Sequence, residues 1–205
     1  MRLLANTTLL LIFLSGSAAA QQAGYIFKDG SAAKLTLRAF DGSDFGSNRL
    51  RDLSSWDKIR GWNWDGKVAS YLYMDGDTTR LTIRTFNGTV FGPDKLITFG
   101  KADKWRGWSW YNGVASIIYY ENGQTKINIR KFDGDSFSGE RIVLMDPKDN
   151  IRGWNWDGKT ASYLFTSGGR TRLVVRPFNG HQFGPNKENI DMGPSSTFRG
   201  WSWCR

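Results

Sequence analysis

From residue 21 onward, apolar and polar residues alternate in short segments that are separated by turn residues. Residues 81–86, LTIRTF, alternate in this way and contain several β-branched side chains, and residues 69–74, ASYLYM, form a similar segment just before them. Asp75-Gly76-Asp77 separates the two segments and Asn87-Gly88 follows the second, and both are typical of tight turns. The pattern predicts short strands, with no helical period in residues 21–205.

This pattern returns every 46 residues along the chain. A Phe-Asx-Gly tripeptide begins at residues 40, 86, 132 and 178, and an arginine stands two positions before each one. An Arg-Gly-Trp-x-Trp box begins at Arg60, Arg106, Arg152 and Arg199, with one extra residue before the last copy. Self-similarity at a fixed period of this length is typical of repeat architectures, in which each repeat is one supersecondary unit. We predict three or four strands per unit.

The two ends of the chain indicate how the units are arranged. Residues 23–27, AGYIF, align with residues 69–73 but lack a preceding tryptophan box, and the missing box stands at residues 198–203. A unit split between the termini allows the last strand to complete the first sheet, which closes a ring and leaves no open end. An open solenoid would instead need polar caps. The sequence predicts an all-β, four-bladed β-propeller of four ~46-residue repeats, closed by a C-terminal strand that completes the N-terminal blade.

The first twenty residues have the features of a secretory signal. Arg2 precedes an apolar run at residues 9–14, and Ala18-Ala19-Ala20 provides the small residues of a cleavage site. The apolar run is too short to cross a bilayer. We therefore expect a signal peptide at 1–20, a secreted extracellular protein without a transmembrane segment, and one domain at 21–205. Its units are 21–58 with 198–205, then 59–104, 105–150 and 151–197.

The tryptophan boxes have two interpretations. All four units keep the arginine, the glycine and both tryptophans, as equivalent packing contacts between blades require. The residues that vary favour a ligand site, because an aromatic ring beside a few placed polar groups suits a sugar. Asn occupies the variable position in two units and Ser in the other two, so any site that uses it should occur twice. The candidate carbohydrate-binding residues are Asn63, Trp64, Asp65, Asn155, Trp156, Asp157, Arg60 and Arg152.

The charge of the chain narrows the class of partner. The formal net charge is +9 at pH 7, which favours acidic partners, including acidic glycans. The basic residues are spread through the repeats without a Lys/Arg run, so a nucleic-acid partner is not expected. A host or partner protein remains the alternative to a glycan.

Metal binding and catalysis have little support in the sequence. Asp75-Gly76-Asp77 resembles a calcium-binding turn, but the equivalent turns of the other units lack its acids. The single histidine, His181, has no nucleophile motif near it. Asp65 and Asp157 are two carboxylates, as a glycosidase needs, but they occupy equivalent positions and have no basis for different roles. We expect no metal, no cofactor and no enzymatic activity.

The sequence leaves open the state of Cys204 and the glycosylation of Asn87. Cys204 is the one cysteine of the chain, so it is either a free thiol or the link in a disulfide-bonded dimer. Asn87-Gly88-Thr89 is an N-glycosylation acceptor on a predicted turn. Whether it is used depends on the host.

The Arg-Gly-Trp-x-Trp box and the split closing unit resemble the secreted β-propeller lectins, including the tectonin-like group and the related fucose-binding and bacterial propeller lectins. The haemopexin-like domain, another four-bladed fold, joins its first and last blades with a disulfide, and one cysteine cannot form it. The resemblance implies a non-catalytic, lectin-like protein with two to four equivalent shallow sites for surface or wall glycans. The alternative is a secreted effector or interaction module that binds a protein through one propeller face.

Overall fold

The computed structural model describes residues 21–55, 58–101, 105–145, 150–194 and 198–204. These residues form sixteen strands in four antiparallel sheets of four strands each. The predicted signal peptide at 1–20 lies outside the described residues. The strands are β1 Gln22–Asp29, β2 Ala32–Phe40, β3 Phe45–Ser55, β4 Ile59–Trp64, β5 Val68–Asp75, β6 Thr78–Phe86, β7 Phe91–Lys101, β8 Trp105–Tyr111, β9 Val114–Glu121, β10 Gln124–Phe132, β11 Phe137–Leu144, β12 Ile151–Trp156, β13 Thr160–Ser167, β14 Arg170–Pro177, β15 Glu188–Pro194 and β16 Phe198–Cys204.

The four sheets are the blades of a propeller. Blade 1 has the strand order β16-β1-β2-β3, blade 2 β4-β5-β6-β7, blade 3 β8-β9-β10-β11 and blade 4 β12-β13-β14-β15. The first strand in each order is the inner strand, because β4, β8, β12 and β16 contact one another around and across the axis. Each inner strand carries one tryptophan box.

The closure of the ring is confirmed. The C-terminal strand β16 pairs antiparallel with β1, with Tyr25 opposite Trp201 and Gly24 opposite Ser202. The chain therefore completes its first blade with its last strand, and the four-bladed, all-β prediction is correct. In the described ranges, no helix is both long enough and apolar enough to cross a membrane.

The first tryptophan of each box fills the space between two blades. Trp62, Trp108, Trp154 and Trp201 are fully buried, and each belongs to a hydrophobic cluster that joins its own blade to the preceding one. The glycine of each box faces the first tryptophan of the next blade. A Cβ atom on Gly107 would lie 2.7 Å from the Cβ of Trp154, and the other three glycines are equally close to their neighbours. The inner strands therefore approach closely only because this position has no side chain.

The recurring Phe-Asx-Gly tripeptide also has a structural explanation. In blade 2, the rings of Phe86 and Phe91 stack with centroids 4.1 Å apart across the turn between β6 and β7. The Oδ1 atom of Asn87 accepts hydrogen bonds from the backbone N–H groups of Thr89 and Val90. The Arg84 guanidinium lies 5.1 Å from the Phe91 centroid and its Nε donates to a backbone carbonyl. This hairpin arrangement returns in the other three blades and belongs to the fold.

Three of the four buried indoles each donate a hydrogen bond to an equivalent serine. The Nε1 atoms of Trp108, Trp154 and Trp201 donate to serine hydroxyls on the second strand of the preceding blade, at 2.7–2.8 Å. Gly24 occupies the serine position in blade 1, and the buried Nε1 of Trp62 has no partner in the described part of the chain. The fold therefore tolerates the loss of this bond at one junction.

Replacement of one of these serines tests the contribution of the bond. Ser116→Ala leaves the buried Nε1–H of Trp154 without its acceptor, and we expect the free energy of unfolding to fall by about 1–3 kcal/mol. Chemical denaturation of the two proteins measures this difference. Ser47→Ala, at an exposed position, is the control and should change stability by less than about 0.5 kcal/mol.

Candidate ligand-binding site

The ends of the four inner strands surround one cavity of about 610 Å³ on the propeller axis. We call it the axial cavity. Each box contributes to its lining from the variable residue, the second tryptophan or the residue after it, and the turn after β12 adds polar side chains. The lining residues include Asn63, Trp64, Asp65, Trp110, Tyr111, Asn112, Asn155, Trp156, Asp157, Lys159, Trp203 and Cys204. The closed ring brings these residues together although they are up to 141 positions apart (204 − 63).

Both predicted Asn-Trp-Asp segments line this cavity. Asn63 and Asn155 are buried, with exposed fractions of 5% and 7%. Their Nδ2 atoms donate to the backbone carbonyls of Trp110 and Trp203 on the next blade, at 3.1 and 3.2 Å. Each asparagine thus bonds one blade to the next and also lines the cavity.

At the other two junctions, serines make the hydrogen bonds to the next blade. The hydroxyl of Ser109 donates to the Trp156 carbonyl and accepts from the Trp156 backbone N–H, at 3.2 and 3.0 Å. The hydroxyl of Ser202 makes the same pair of bonds with Trp64. The variable residue of every box therefore bonds the next blade, and of these four residues the two asparagines also line the axial cavity.

The second tryptophans form the apolar part of the lining. Trp64 and Trp156 are almost completely buried, and their Nε1 atoms donate to the carbonyls of Phe86 and Phe178. Because these N–H groups are already used, the small exposed part of each indole offers a ligand apolar contact only. Such surfaces suit the apolar face of a sugar ring.

The residue after the second tryptophan is not the same in all four blades, and it lies at the rim of the cavity. Asp65 and Asp157 stand on opposite blades, and Tyr111 and Cys204 occupy the equivalent positions on the other two. In both aspartates Oδ1 accepts two backbone N–H bonds from the following turn, at 2.6–2.9 Å. Tyr111 is 46% exposed. The rim therefore combines two carboxylates with one exposed aromatic ring.

The two predicted arginines lie elsewhere. Arg60 and Arg152 stand at the beginning of β4 and β12, and the Nη1 atom of each donates to the carbonyl of the residue before it, Ile59 or Ile151. Neither is part of the lining of the axial cavity. The structure does not bring them together with the Asn-Trp-Asp segments.

Several other lining residues are not among those predicted from the sequence. Trp110, Tyr111, Trp203 and Cys204 stand at the same box positions as Trp64 and Asp65, one unit earlier or later. Their equivalence was visible in the repeat. Treating all four boxes as parts of one ring would have identified them.

The candidate calcium-binding turn and the single histidine both make contacts with arginine side chains. The Oδ2 of Asp75 accepts a hydrogen bond from Arg80 Nε at 2.7 Å, so the turn is held by an ion pair. Within the described ranges, no three His, Cys, Asp or Glu side chains are grouped closely enough to hold a metal ion. His181 Nε2 lies 3.0 Å from Arg141 Nη1, a contact that joins blades 3 and 4.

Cys204 is half-buried at the rim of the cavity. Its Sγ donates to the Asp65 carbonyl at 3.1 Å, and burial, together with the negative charge of Asp65, raises the pKa of the thiol. A protonated thiol at this position is a hydrogen-bond donor and a poor nucleophile.

Alkylation measures this effect. We expect iodoacetamide to modify Cys204 more slowly than a small thiol of ordinary pKa at about pH 8, because the thiolate is the reactive form and a raised pKa lowers its fraction. The rate should rise as the pH approaches the raised pKa. Mass spectrometry of time points gives the rate, and equal rates for Cys204 and the free thiol would contradict this assignment.

Comparison with known proteins does not assign a family. No family model and no curated protein matches the chain. Among solved structures, TolB from Acinetobacter baumannii aligns with 12% identity and a TM-score of 0.48, covering 89% of this chain and 66% of TolB. A chain of a nidogen/laminin complex aligns with 12% identity and a TM-score of 0.46, and the alignment covers 84% of this chain and 64% of that one. The chain therefore spans just under two thirds of the length of each of these two matched chains. The propeller assignment rests on the strand order and the closure.

Proposed function

We infer that this protein is a secreted, non-catalytic carbohydrate-binding protein and that the axial cavity holds its ligand. One observation carries the proposal: a single cavity joins the surfaces of four tryptophans to two asparagine amides and two aspartates. Its volume of about 610 Å³ lies within the range of about 300–1,000 Å³ that small-molecule sites occupy. An apolar lining with a few placed polar groups is an arrangement that suits a sugar ring.

The geometry favours one site in place of the two to four equivalent sites expected from the repeat. Asn63 and Asn155 lie in different blades but line the same space, so one ligand would contact both. Engagement of a multivalent glycan surface then needs several copies of the protein. A disulfide through Cys204 is a poor means to that end, because Cys204 lies at the rim and a partner there would obstruct the cavity.

A non-catalytic role agrees with the equivalence of the two aspartates. Asp65 and Asp157 accept the same pair of backbone hydrogen bonds in the same type of turn. A glycosidase needs one carboxyl group to act as an acid and the other as a base or nucleophile. The paired backbone hydrogen bonds to Oδ1 give the two carboxyl groups no such difference in role.

The double variant Asn63→Ser with Asn155→Ser tests the proposal and is matched to the fold. Serine already occupies this position in blades 1 and 3 and bonds the next blade there. We therefore expect stability to change by less than about 1 kcal/mol, while loss of both amides lowers glycan affinity by about tenfold or more. A glycan array with the wild-type protein selects the sugar. Isothermal titration with that sugar then compares the two proteins.

Two further variants complete the experiment. Tyr111→Ala removes the exposed aromatic ring of the rim and should also weaken binding. Leu144→Ala, on the outer strand of the same blade and 62% exposed, should leave affinity unchanged. Sugar binding that survives both the double variant and Tyr111→Ala would place the site elsewhere. A saturable protein complex insensitive to free sugars would instead support the effector alternative.

A further inference from the structure

A second cavity of about 470 Å³ lies beside the axial cavity, between blades 1 and 2. Trp64, Asp65 and Cys204 line both cavities, so the two adjoin on the same face of the ring. Blade 1 contributes Arg38 and Arg49 from β2 and β3. We call this second cavity the side groove. A ligand in the axial cavity can extend into it without leaving the protein surface.

The side groove carries positive charge. Its ionisable side chains are Arg38, Arg49, Asp65 and the protonated thiol of Cys204, which leaves one net positive charge. Arg38 is fixed in place, because its Nε donates to the Gly46 carbonyl at 2.8 Å and its guanidinium lies 5.0 Å from the Phe45 centroid. The Oδ1 of Asp65 is engaged by two backbone N–H groups. The groove is therefore suited to an anionic group.

Comparison of the four blade junctions shows that, among the described residues, Arg49 and Lys187 lack the charged or histidine partner found at the other two junctions, and of these two residues Arg49 is the one that lines the side groove. A basic residue recurs at its position as Lys95, Arg141 and Lys187. Lys95 pairs with Asp135 on the next blade, and Arg141 contacts His181 on the next blade. These partners follow the basic residue by 40 positions, and the equivalent partner of Arg49 is Thr89, which has no charge.

The guanidinium of Arg49 is consequently left for a ligand. In the described part of the chain it makes no hydrogen bond or ion pair, and the residue is exposed. At the two junctions where the basic residue has a partner, the contact crosses the space between blades. At this junction the space is a cavity with two guanidinium groups on one wall and Asn87 on the other.

We propose that the side groove is a subsite for an acidic sugar residue, in which Arg49 and Arg38 bind the carboxylate or sulfate of an oligosaccharide whose neighbouring ring occupies the axial cavity. Guanidinium groups bind such anions with paired, charge-assisted hydrogen bonds. This proposal rests on the proposed function and names the class of sugar that the site selects.

The experiment uses the full-length mature protein produced without N-glycosylation, because Asn87 lies in the groove and belongs to an acceptor sequence. The probes are trigalacturonate with its carboxyl-reduced trisaccharide and a heparin hexasaccharide with its desulfated counterpart. The first pair reports the carboxylate. In the second pair both hexasaccharides keep their uronate carboxylates, so the difference between them reports the sulfates. Isothermal titration at one fixed salt concentration gives each affinity.

Three variants separate a specific contact from general attraction. Arg49→Gln should weaken binding of the acidic probe about tenfold and leave binding of the neutral, carboxyl-reduced trisaccharide unchanged. Thr89→Asp supplies the carboxylate that Asp135 supplies in blade 3, so it should capture Arg49 and weaken the acidic probe similarly. Lys187→Gln removes the same charge at the junction of blades 4 and 1 and should change the affinity less than twofold.

Each outcome decides the matter. Equal losses in Arg49→Gln and Lys187→Gln would mean diffuse electrostatic attraction and overturn the subsite. Binding of a neutral sugar in the axial cavity, with no preference for either acidic probe, would overturn the subsite and leave the proposed function intact. Failure to bind any glycan would remove both proposals.

Discussion

Trp154→Ala is expected to lower the free energy of unfolding by about 3–5 kcal/mol, the cost typical of truncating a large buried aromatic side chain. Trp154 is fully buried between blades 3 and 4, where its ring packs against Tyr163, Phe178 and Phe183. Its Nε1 donates to the Ser116 hydroxyl at 2.7 Å. Removal of the indole leaves a cavity that the inner strands cannot fill, because the ring of four blades limits how far they move together.

Chemical denaturation followed by circular dichroism measures the loss. Trp154→Phe keeps an aromatic ring but loses the Ser116 bond, so its cost should lie between wild type and Trp154→Ala. The control is Trp105→Ala, since Trp105 is partly exposed and is not one of the box tryptophans. A cost for Trp154→Ala no larger than that for Trp105→Ala would mean that this tryptophan does not hold the blades together.

The closure of the propeller could be predicted because one repeat unit is divided between the two ends of the sequence. Residues 23–27 lack a preceding box and residues 198–203 provide one. Pairing of β1 with β16 follows, because an unpaired inner strand would expose a row of backbone donors and acceptors. The repeat thus determines the number of blades and the joining of the termini.

The axial cavity could not be predicted in the same way. Asn63 and Asn155 are 92 residues apart (155 − 63), and their spacing shows equivalence but not distance from the axis. With only four blades, the strand ends are close enough for opposite units to line one space. Two equivalent segments therefore belong to one cavity, and two separate sites were the natural expectation from sequence.

The side groove could not be predicted from the sequence, because it depends on contacts between residues of adjacent blades. Lys95 and Asp135 meet across a junction although they belong to different repeats, and their pairing depends on how adjacent blades face each other. The same holds for Arg141 and His181. Only when these partners are seen together does the uncharged Thr89 opposite Arg49 become informative.

The effect of Gly24 could also not be predicted from the sequence alone. The sequence aligns it with Ser70, Ser116 and Ser162, but the consequence appears only where the indole of Trp62 lies against it. One repeat thus lacks a bond that the other three make. A departure of this kind is visible in an alignment of the repeats, whereas its energetic meaning needs the neighbouring blade.

Gly153→Ala is expected to destabilise the protein by about 3 kcal/mol or more, at or beyond the upper end of what overpacking usually costs. A Cβ atom on Gly153 would lie 2.8 Å from both the backbone nitrogen and the Cβ of Trp201, and 3.0 Å from the carbonyl carbon of Gly200. None of these atoms belongs to a flexible side-chain end, so only separation of blades 4 and 1 relieves the clash. Denaturant unfolding measures the cost.

Gly168→Ala provides the matched control for this substitution. Gly168 has a positive φ of 56° and nothing within 4 Å of an added Cβ, so alanine there costs only the backbone strain, about 1–2 kcal/mol. Gly153 has no positive φ, so backbone strain of this kind does not contribute to the cost of Gly153→Ala, and a cost above that of Gly168→Ala reports the close approach of the inner strands. If Gly153→Ala proved no more costly than Gly168→Ala, the blades would not depend on that approach, and the glycine of the box would need another explanation. A larger cost at Gly153 would explain why every unit keeps Gly beside Trp, because the ring closes only when all four junctions accept the same short distance.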